Sequence, residues 1–267
     1  MLRRLKYLAS FLVQNRFLIF ELIKRDLCVS YAGSLLGIFW TFIHPLVLIS
    51  IYWLIFSVGL KVTPLNDIPF VIWLVAGISI WFTFADIING CTSTILNNSF
   101  LIKKIVFPHH ILPMIKIISA CFYHVFFLII LCSLILIYGL PFKFLMIQSL
   151  YYYLCMAILA LGIGLITSSV NVFIRDTSQV VSILTQLFFW GTPIFWDISI
   201  MPQNIQNALK MNPVYYIVQG YRDSFLYFVP FWKYPYLTIQ FWVLSLIILA
   251  FGIIVFQRLK RHFAEAV

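Results

Sequence analysis

Acidic side chains are scarce in this chain. Its 267 residues hold eight Asp and Glu against eighteen Lys and Arg, and charged residues of both signs make up only 10%. Soluble domains carry about a quarter charged residues, so a water-facing globule is excluded. The acids (Glu21, Asp26, Asp67, Asp86, Asp176, Asp197, Asp223 and Glu265) are dispersed, with no D-x-D and no cluster to hold a divalent cation. No G-x-x-x-x-G-K-[ST] occurs, so the chain has no loop to cradle the phosphates of ATP. Gly162 and Gly164 lack the third glycine and the βαβ setting of a dinucleotide fingerprint. Neither the five histidines (His44, His109, His110, His124, His262) nor the five cysteines (Cys28, Cys91, Cys121, Cys132, Cys155) show zinc or C-x-x-C spacing. No catalytic or metal-ligating residue is singled out.

Apolar side chain is abundant instead. The chain is 63% hydrophobic with a mean hydropathy of +1.02, the composition of an integral membrane protein. A helix needs about 20 apolar residues to cross the hydrocarbon, and 35–60, 70–92, 114–138, 145–169, 178–197 and 236–257 qualify. The fold class expected is all-α, with six transmembrane helices, an N-terminal interfacial helix and short interfacial or re-entrant helices on the outer face. An even number of spans puts both termini on one side. Arg3, Arg4, Lys6, Arg16, Lys24, Arg25, Lys103, Lys104, Lys116, Arg175, Arg258, Lys260 and Arg261 gather at one set of ends. Lys61, Lys143, Lys210, Arg222 and Lys233 fall at the other, so the positive-inside rule makes the first set cytoplasmic. The net charge of +10 is thereby explained by topology, without a nucleic-acid partner. The opening "MLRRLKYLASFLVQNR" begins like a signal peptide, but Lys6, Gln14 and Asn15 interrupt its apolar run and no small-x-small site follows. It is read as part of the mature chain.

Three segments are neither spans nor simple loops. Along 16–31 a helix gathers Leu18, Ile19, Leu22, Ile23 and Leu27 on one face and Glu21, Lys24 and Arg25 on another, with Asp26 breaking the apolar side. It is expected to lie in the inner interface. The connector "LNNSFLIKKIVFPHHILPMIK" is stopped by Pro108 and Pro113 yet stays apolar, which suits a segment tucked under the spans or docked on another protein. The outer segment 197–235 is interrupted by Pro213, Gly220, Pro230 and Pro235 and crowded with rings, among them Tyr215, Tyr216, Tyr221 and Phe225. These rings fit an aromatic belt at headgroup depth, or faces on which a sugar stacks along an exit path.

Smaller signals sit on the spans. At "NVFIRDTSQ", Asp176 is expected to cap the next helix with Gln179 reaching back, while Arg175 lies at phosphate depth. Ala160, Gly164 and Ser168 form a small-residue stripe for close helix packing, either within the chain or between subunits. Asp86 is the acid inside an apolar run; its depth favours an interfacial anchor over a coupled-ion site.

Three stretches in order, "LIKRDLCVSYAGSLLGIFWTFIHPLVLISIYWLIFSVGL", "FLIKKIVFPHHILPM" and "NVFIRDTSQVVSILTQLFFWGTPIFW", resemble the type-2 ABC exporter permeases that move polysaccharides across bacterial inner membranes. The resemblance covers essentially the whole chain. It implies a single permease domain over 1–267, with a cytoplasmic or interfacial N-terminus at 1–33, six spans over 34–257 and a cytoplasmic tail at 258–267. It also implies a homodimer served by two copies of a separate P-loop ATPase, which would carry ATP and Mg while this chain carries no cofactor. By the same resemblance, Glu21, Lys24, Lys103, Lys104, Arg175 and Asp176 are candidates for coupling to the ATPase. Arg16, Lys24 and Arg25 are candidates for the phosphate of a lipid-linked glycan. Trp40, Tyr52 and Trp53 on the first span, with Phe188, Phe189, Trp190 and Trp196 on the fifth, are candidates for the translocation path. Tyr215, Tyr216, Tyr221 and Phe225 are candidates for an outer gate. Two other readings stand beside this one: an ABC permease for drug or lipid export, and an integral membrane enzyme acting on polyprenyl-linked sugars, against which the dispersed acids speak.

Overall fold

The computed structural model describes residues 16–29, 37–61, 68–102 and 109–266, and among these the regular structure is helical throughout, with no strand. In chain order the helices are α1 (Arg16–Val29), α2 (Trp40–Trp53), α3 (Phe70–Asn97), α4 (Ser99–Ile102), α5 (Ile111–Ile137) and α6 (Gln148–Phe173). They continue with α7 (Thr177–Gly191), α8 (Gln203–Lys210), α9 (Pro213–Arg222), α10 (Pro235–Leu259) and α11 (Phe263–Ala266). Among the described residues, five stretches are long and apolar enough to cross a membrane: Phe42–Gly59, Phe70–Asn97, Ile111–Ile137, Phe144–Phe173 and Pro235–His262. The chain is an all-α, multi-pass membrane protein.

The expected fifth span is shorter than its neighbours. α7 has 15 residues, about 22 Å of helix against a hydrocarbon core of about 30 Å. It stops at Gly191, and residues 192–196 continue as a bent, non-helical strap whose Thr192, Pro193, Ile194 and Phe195 are buried.

α3 forms the centre of the bundle. Nearly every side chain from Phe70 to Ile80 is buried, and α5, α6, α7 and α9 all pack on this helix. A second apolar cluster lies at the end where α3 finishes and α5 begins; Ile95, Leu101, Ile111, Leu112 and Ile115 meet Phe256 and Phe263 there. Lys24, Arg25, Arg175, Arg258, Lys260 and Arg261 collect at this basic end. The opposite, aromatic end holds the strap, α8, α9 and the 228–234 connector.

Local sequence sets several boundaries. Pro213 and Pro235 stand in the first turns of α9 and α10, where a missing N–H breaks no helical bond. Asn212 caps α9 through Val214 N at 3.0 Å, and Asp197 accepts from Ser199 N at 2.8 Å. The cap expected from Asp176 is not made: its backbone is already helical (φ −66°, ψ −14°), which turns the carboxylate away from the free amides a cap must reach. Arg175 and Asp176 are both exposed at the basic end.

The small-residue stripe on α6 packs inside the chain. A Cβ on Gly164 would sit 2.8 Å from Cys91 Cβ on α3, and Ala160 and Ser168 are fully buried. The closest backbone approach is on the neighbouring face, where a Cβ on Gly252 of α10 would lie 2.5 Å from the Gly162 carbonyl oxygen. In lipid, where helix association depends on close packing, such a contact holds two spans together. Gly252→Val should therefore force α6 and α10 apart and destabilise the protein by about 1–3 kcal/mol, read as a lowered Tm in detergent; an unchanged Tm would show that the approach is not needed.

Candidate functional site

At the aromatic end, α9 is a buried helix. Val214, Tyr215, Tyr216, Ile217, Val218 and Tyr221 are all buried against α3, α6 and α10. Its last residue, Arg222, is 2% exposed and donates from Nη1 to Pro193 O and from Nη2 to Ile194 O, both at 2.7 Å. Its guanidinium lies 3.4 Å over the Trp73 ring, whose Nε1 donates to Tyr227 Oη at 3.0 Å. Gly77, one turn along α3, leaves the room: a Cβ there would be 2.8 Å from Arg222 Nη2. At the other end of α9, Asn212 Nδ2 donates to Thr192 Oγ1 at 3.1 Å. Both ends of α9 thus grip the strap.

A polar chain fixes the C-terminal end of α9. Thr83 donates its hydroxyl hydrogen to Ser79 O at 2.9 Å, so it accepts from His124 Nδ1, also at 2.9 Å. His124 Nε2 is then left to accept from Tyr221 Oη at 2.7 Å. One imidazole tautomer satisfies the whole chain across α3, α5 and α9.

Where α2 meets α7, the strap supplies the keystone ring. Phe195, 1% exposed, has its centroid 4.7 Å from Tyr52, 5.1 Å from Phe56, 4.9 Å from Phe189 and 5.4 Å from Trp190. Tyr52 and Phe189 themselves are 6.0 Å apart. Offset and edge-on geometries of this kind add about 0.5–1.5 kcal/mol per pair beyond area burial.

At the basic end, Lys116 of α5 reaches two carboxylates, Asp26 of α1 at 3.5 Å and Asp86 of α3 at 3.4 Å. Beside them opens a cleft of about 330 Å³, bounded by Leu22, Arg25 and Asp26 on one side and by Ser93, Asn97 and Lys116 on the other. Arg25 lines the cleft while its guanidinium lies 4.4 Å over the Phe100 ring.

The candidates named from sequence are distributed as follows. Tyr52 and Phe189 meet through Phe195, and Trp196 is half-buried beside them. Trp40, Trp53 and Phe188 are exposed, while Trp190 is part exposed with its ring against Phe195. Tyr215, Tyr216, Tyr221 and Phe225 lie inside the bundle, so the expectation of a belt at headgroup depth is corrected for these rings; they pack α9 against the spans. Glu21 and Lys24 are exposed on α1, as is Arg16, whose guanidinium is 5.4 Å over the Phe17 ring. Lys103 and Lys104 lie outside the described residues.

Arg222, expected as a charge at the outer ends, is instead a buried tether. Asp86 is paired, with its side chain 44% exposed, in keeping with an anchor near the interface. Phe195 was not singled out in the sequence, and His124 and Lys116 were named there only in excluding zinc and among the basic ends. A Lys inside the apolar opening of α5 was the available signal for the last.

The described residues form an all-helical, multi-pass membrane bundle with one short helix broken at Gly191 and another, α9, buried within it. Residues 18–226 match the ABC-2 type transporter family, and the chain belongs to it. It is similar to the O-antigen export system permease protein RfbA of Klebsiella pneumoniae, 26% identical over 269 residues that cover 98% of each chain. The protein of the same name from Myxococcus xanthus is 28% identical over 80% of this chain and 82% of its own. The capsule polysaccharide export inner-membrane protein CtrC of Neisseria meningitidis is 23% identical over 84% of each.

Two outcomes follow for the aromatic end. Arg222→Met would leave the Pro193 and Ile194 carbonyls buried without donors, at about 1–3 kcal/mol each, so its Tm should fall well below that of Arg222→Lys, which keeps a donor; equal losses would discount the carbonyl bonds. Burial pushes the Asp223 carboxyl from 3.8 up to about 6. Because the fold disfavours the carboxylate, what Asp223 contributes to stability is greatest below about pH 4, declines as the pH rises to about 6, and then levels off. Asp223→Asn should remove that decline from a pH series of melting temperatures; an identical pH profile would refute the assignment.

Proposed function

We propose that this chain is the membrane subunit of an ATP-driven exporter that moves a lipid-linked polysaccharide across the bacterial inner membrane. The observation that carries the reading is the end-to-end match, covering 98% of both chains, to a permease named for O-antigen export. The distribution of basic residues supports a cytoplasmic basic end, with both termini on that side. With no phosphate-binding loop in the sequence, hydrolysis of ATP with Mg belongs to a separate subunit, in two copies for a homodimer of this chain.

Two features support a dimer. The outward faces of α2 (Trp40, Val47, Ile51, Trp53) and α7 (Ile183, Leu184, Leu187, Phe188) are apolar and exposed. Paired across a two-fold axis, they would enclose a path lined by rings, which offers a glycan many weak contacts in place of one tight site. The rings of α9, with the strap held by Arg222, would close that path at the aromatic end. At the basic end, α1 presents Glu21 and Lys24 to the ATPase, joined by Arg175, Asp176 and, by resemblance, Lys103 and Lys104. Arg16, Lys24 and Arg25 stand at the inner interface, where a guanidinium or ammonium suits a lipid phosphate.

Purification of the tagged chain from its native membrane in mild detergent should recover a P-loop ATPase in equal amount, together with a phosphate-bearing lipid-linked glycan identifiable by mass spectrometry. The chain recovered alone and folded would overturn the reading. Arg25→Ala should lower the amount of bound lipid-linked glycan while leaving the size of the complex unchanged; undiminished glycan would remove Arg25 from the phosphate site.

A further inference from the structure

We propose that Lys116, held between Asp26 and Asp86, is a strut that carries movement of α1 into the transmembrane bundle. The proposal rests on the reading that α1 meets an ATPase. What singles out the ion triad is that it joins α1 to the central helix α3 as well as to α5. Of its described side chains, Ile19 alone is buried; Leu22 and Ile23 are half-buried. Those two pack on the apolar cluster that α5 shares, but on the side facing α3 lies the cleft of about 330 Å³. Across that gap, movement of α1 reaches the central helix through whatever spans it.

Lys116 spans it. Its side chain is 13% exposed, and its ammonium touches one carboxylate from α1 and one from the central helix. The methylenes lie across α3 at Gly90, where any Cβ would collide with the Lys116 stem. The stem is therefore confined along its length, and the ammonium cannot follow Asp26 outward without pulling on α3 and α5. Two carboxylates on one ammonium also keep the cation paired if either bond lengthens during a stroke. In this half-buried setting the attraction is screened less than at an open surface.

The test uses the complete complex in lipid nanodiscs, with one spin label per copy at the exposed position Ile200 beyond the strap. The distance between the two labels is measured by pulsed electron resonance, without nucleotide and with ATP, Mg and vanadate. In the parent complex the nucleotide should shift the distance. Asp26→Asn and Lys116→Gln should each lose that shift while the ATPase stays bound and hydrolyses ATP at near the parental rate, and Asp26→Glu should restore it. A full shift in Asp26→Asn would overturn the strut, as would loss of the ATPase from that variant, since Asp26 would then be part of the docking surface. Absence of an ATPase from the parent complex would overturn instead the reading on which the strut rests.

Discussion

Backbone amides and carbonyls inside a bilayer must find partners within the protein, because no water is there to supply them. Helices meet this demand by themselves; a strap such as residues 192–196 does not. Arg222 supplies two donors to consecutive carbonyls at the point where α7 gives out, and Asn212 reaches the hydroxyl of Thr192. Among the described residues no ion pair to a carboxylate offsets the buried guanidinium; the two carbonyls and the face of Trp73 stabilise it instead. This dependence makes the aromatic end one cooperative unit: α9 must be buried for Arg222 to reach the strap, and the strap must be held for Phe195 to seat between α2 and α7.

The two ends of the molecule are built on different physics. At the aromatic end, rings and fully enclosed hydrogen bonds give a rigid closure. The basic end instead holds a cleft, the half-buried helix α1 and an ion triad with distances of 3.4 and 3.5 Å. α3 runs the full distance between them, about 42 Å for its 28 residues, and contributes Trp73 and Gly77 at one end and Asp86 and Gly90 at the other. α3 therefore joins the two ends without any intermediate element.

Much of the architecture was legible in the chain. Long apolar runs fixed the helical class and located every long span, since hydropathy over about 20 residues has a single structural solution in lipid. The interruption of 197–235 by proline and glycine announced short helices there. What was not legible was the direction in which those helices face. Nothing in "PVYYIVQGYRDSF" distinguishes rings lying at headgroups from rings buried in a bundle, because both environments favour the same amphipathic side chains. Asp176 misled for a related reason: a capping residue works only with an extended backbone, and one-dimensional spacing does not report φ and ψ. The stripe of Ala160, Gly164 and Ser168 signalled close packing correctly but named no partner, and the tighter contact of Gly162 with Gly252 joins residues 90 positions apart.

The sequence by itself determined that this is a helical membrane protein, which of its ends is basic, and that it resembles a family of exporters, because composition, charge asymmetry and ordered motifs are properties of the chain alone. The tertiary structure decided which charges are anchors and which are buried joints. Lys116 and Arg222 read alike in one dimension, as cations near the ends of apolar runs. Only the packing of α1, α3 and α5 around the first, and of α3, α9 and the strap around the second, makes one a bridge between carboxylates and the other the donor that holds a broken helix in place. A side chain's partners are set by what folds against it across the bundle, and no local pattern encodes them.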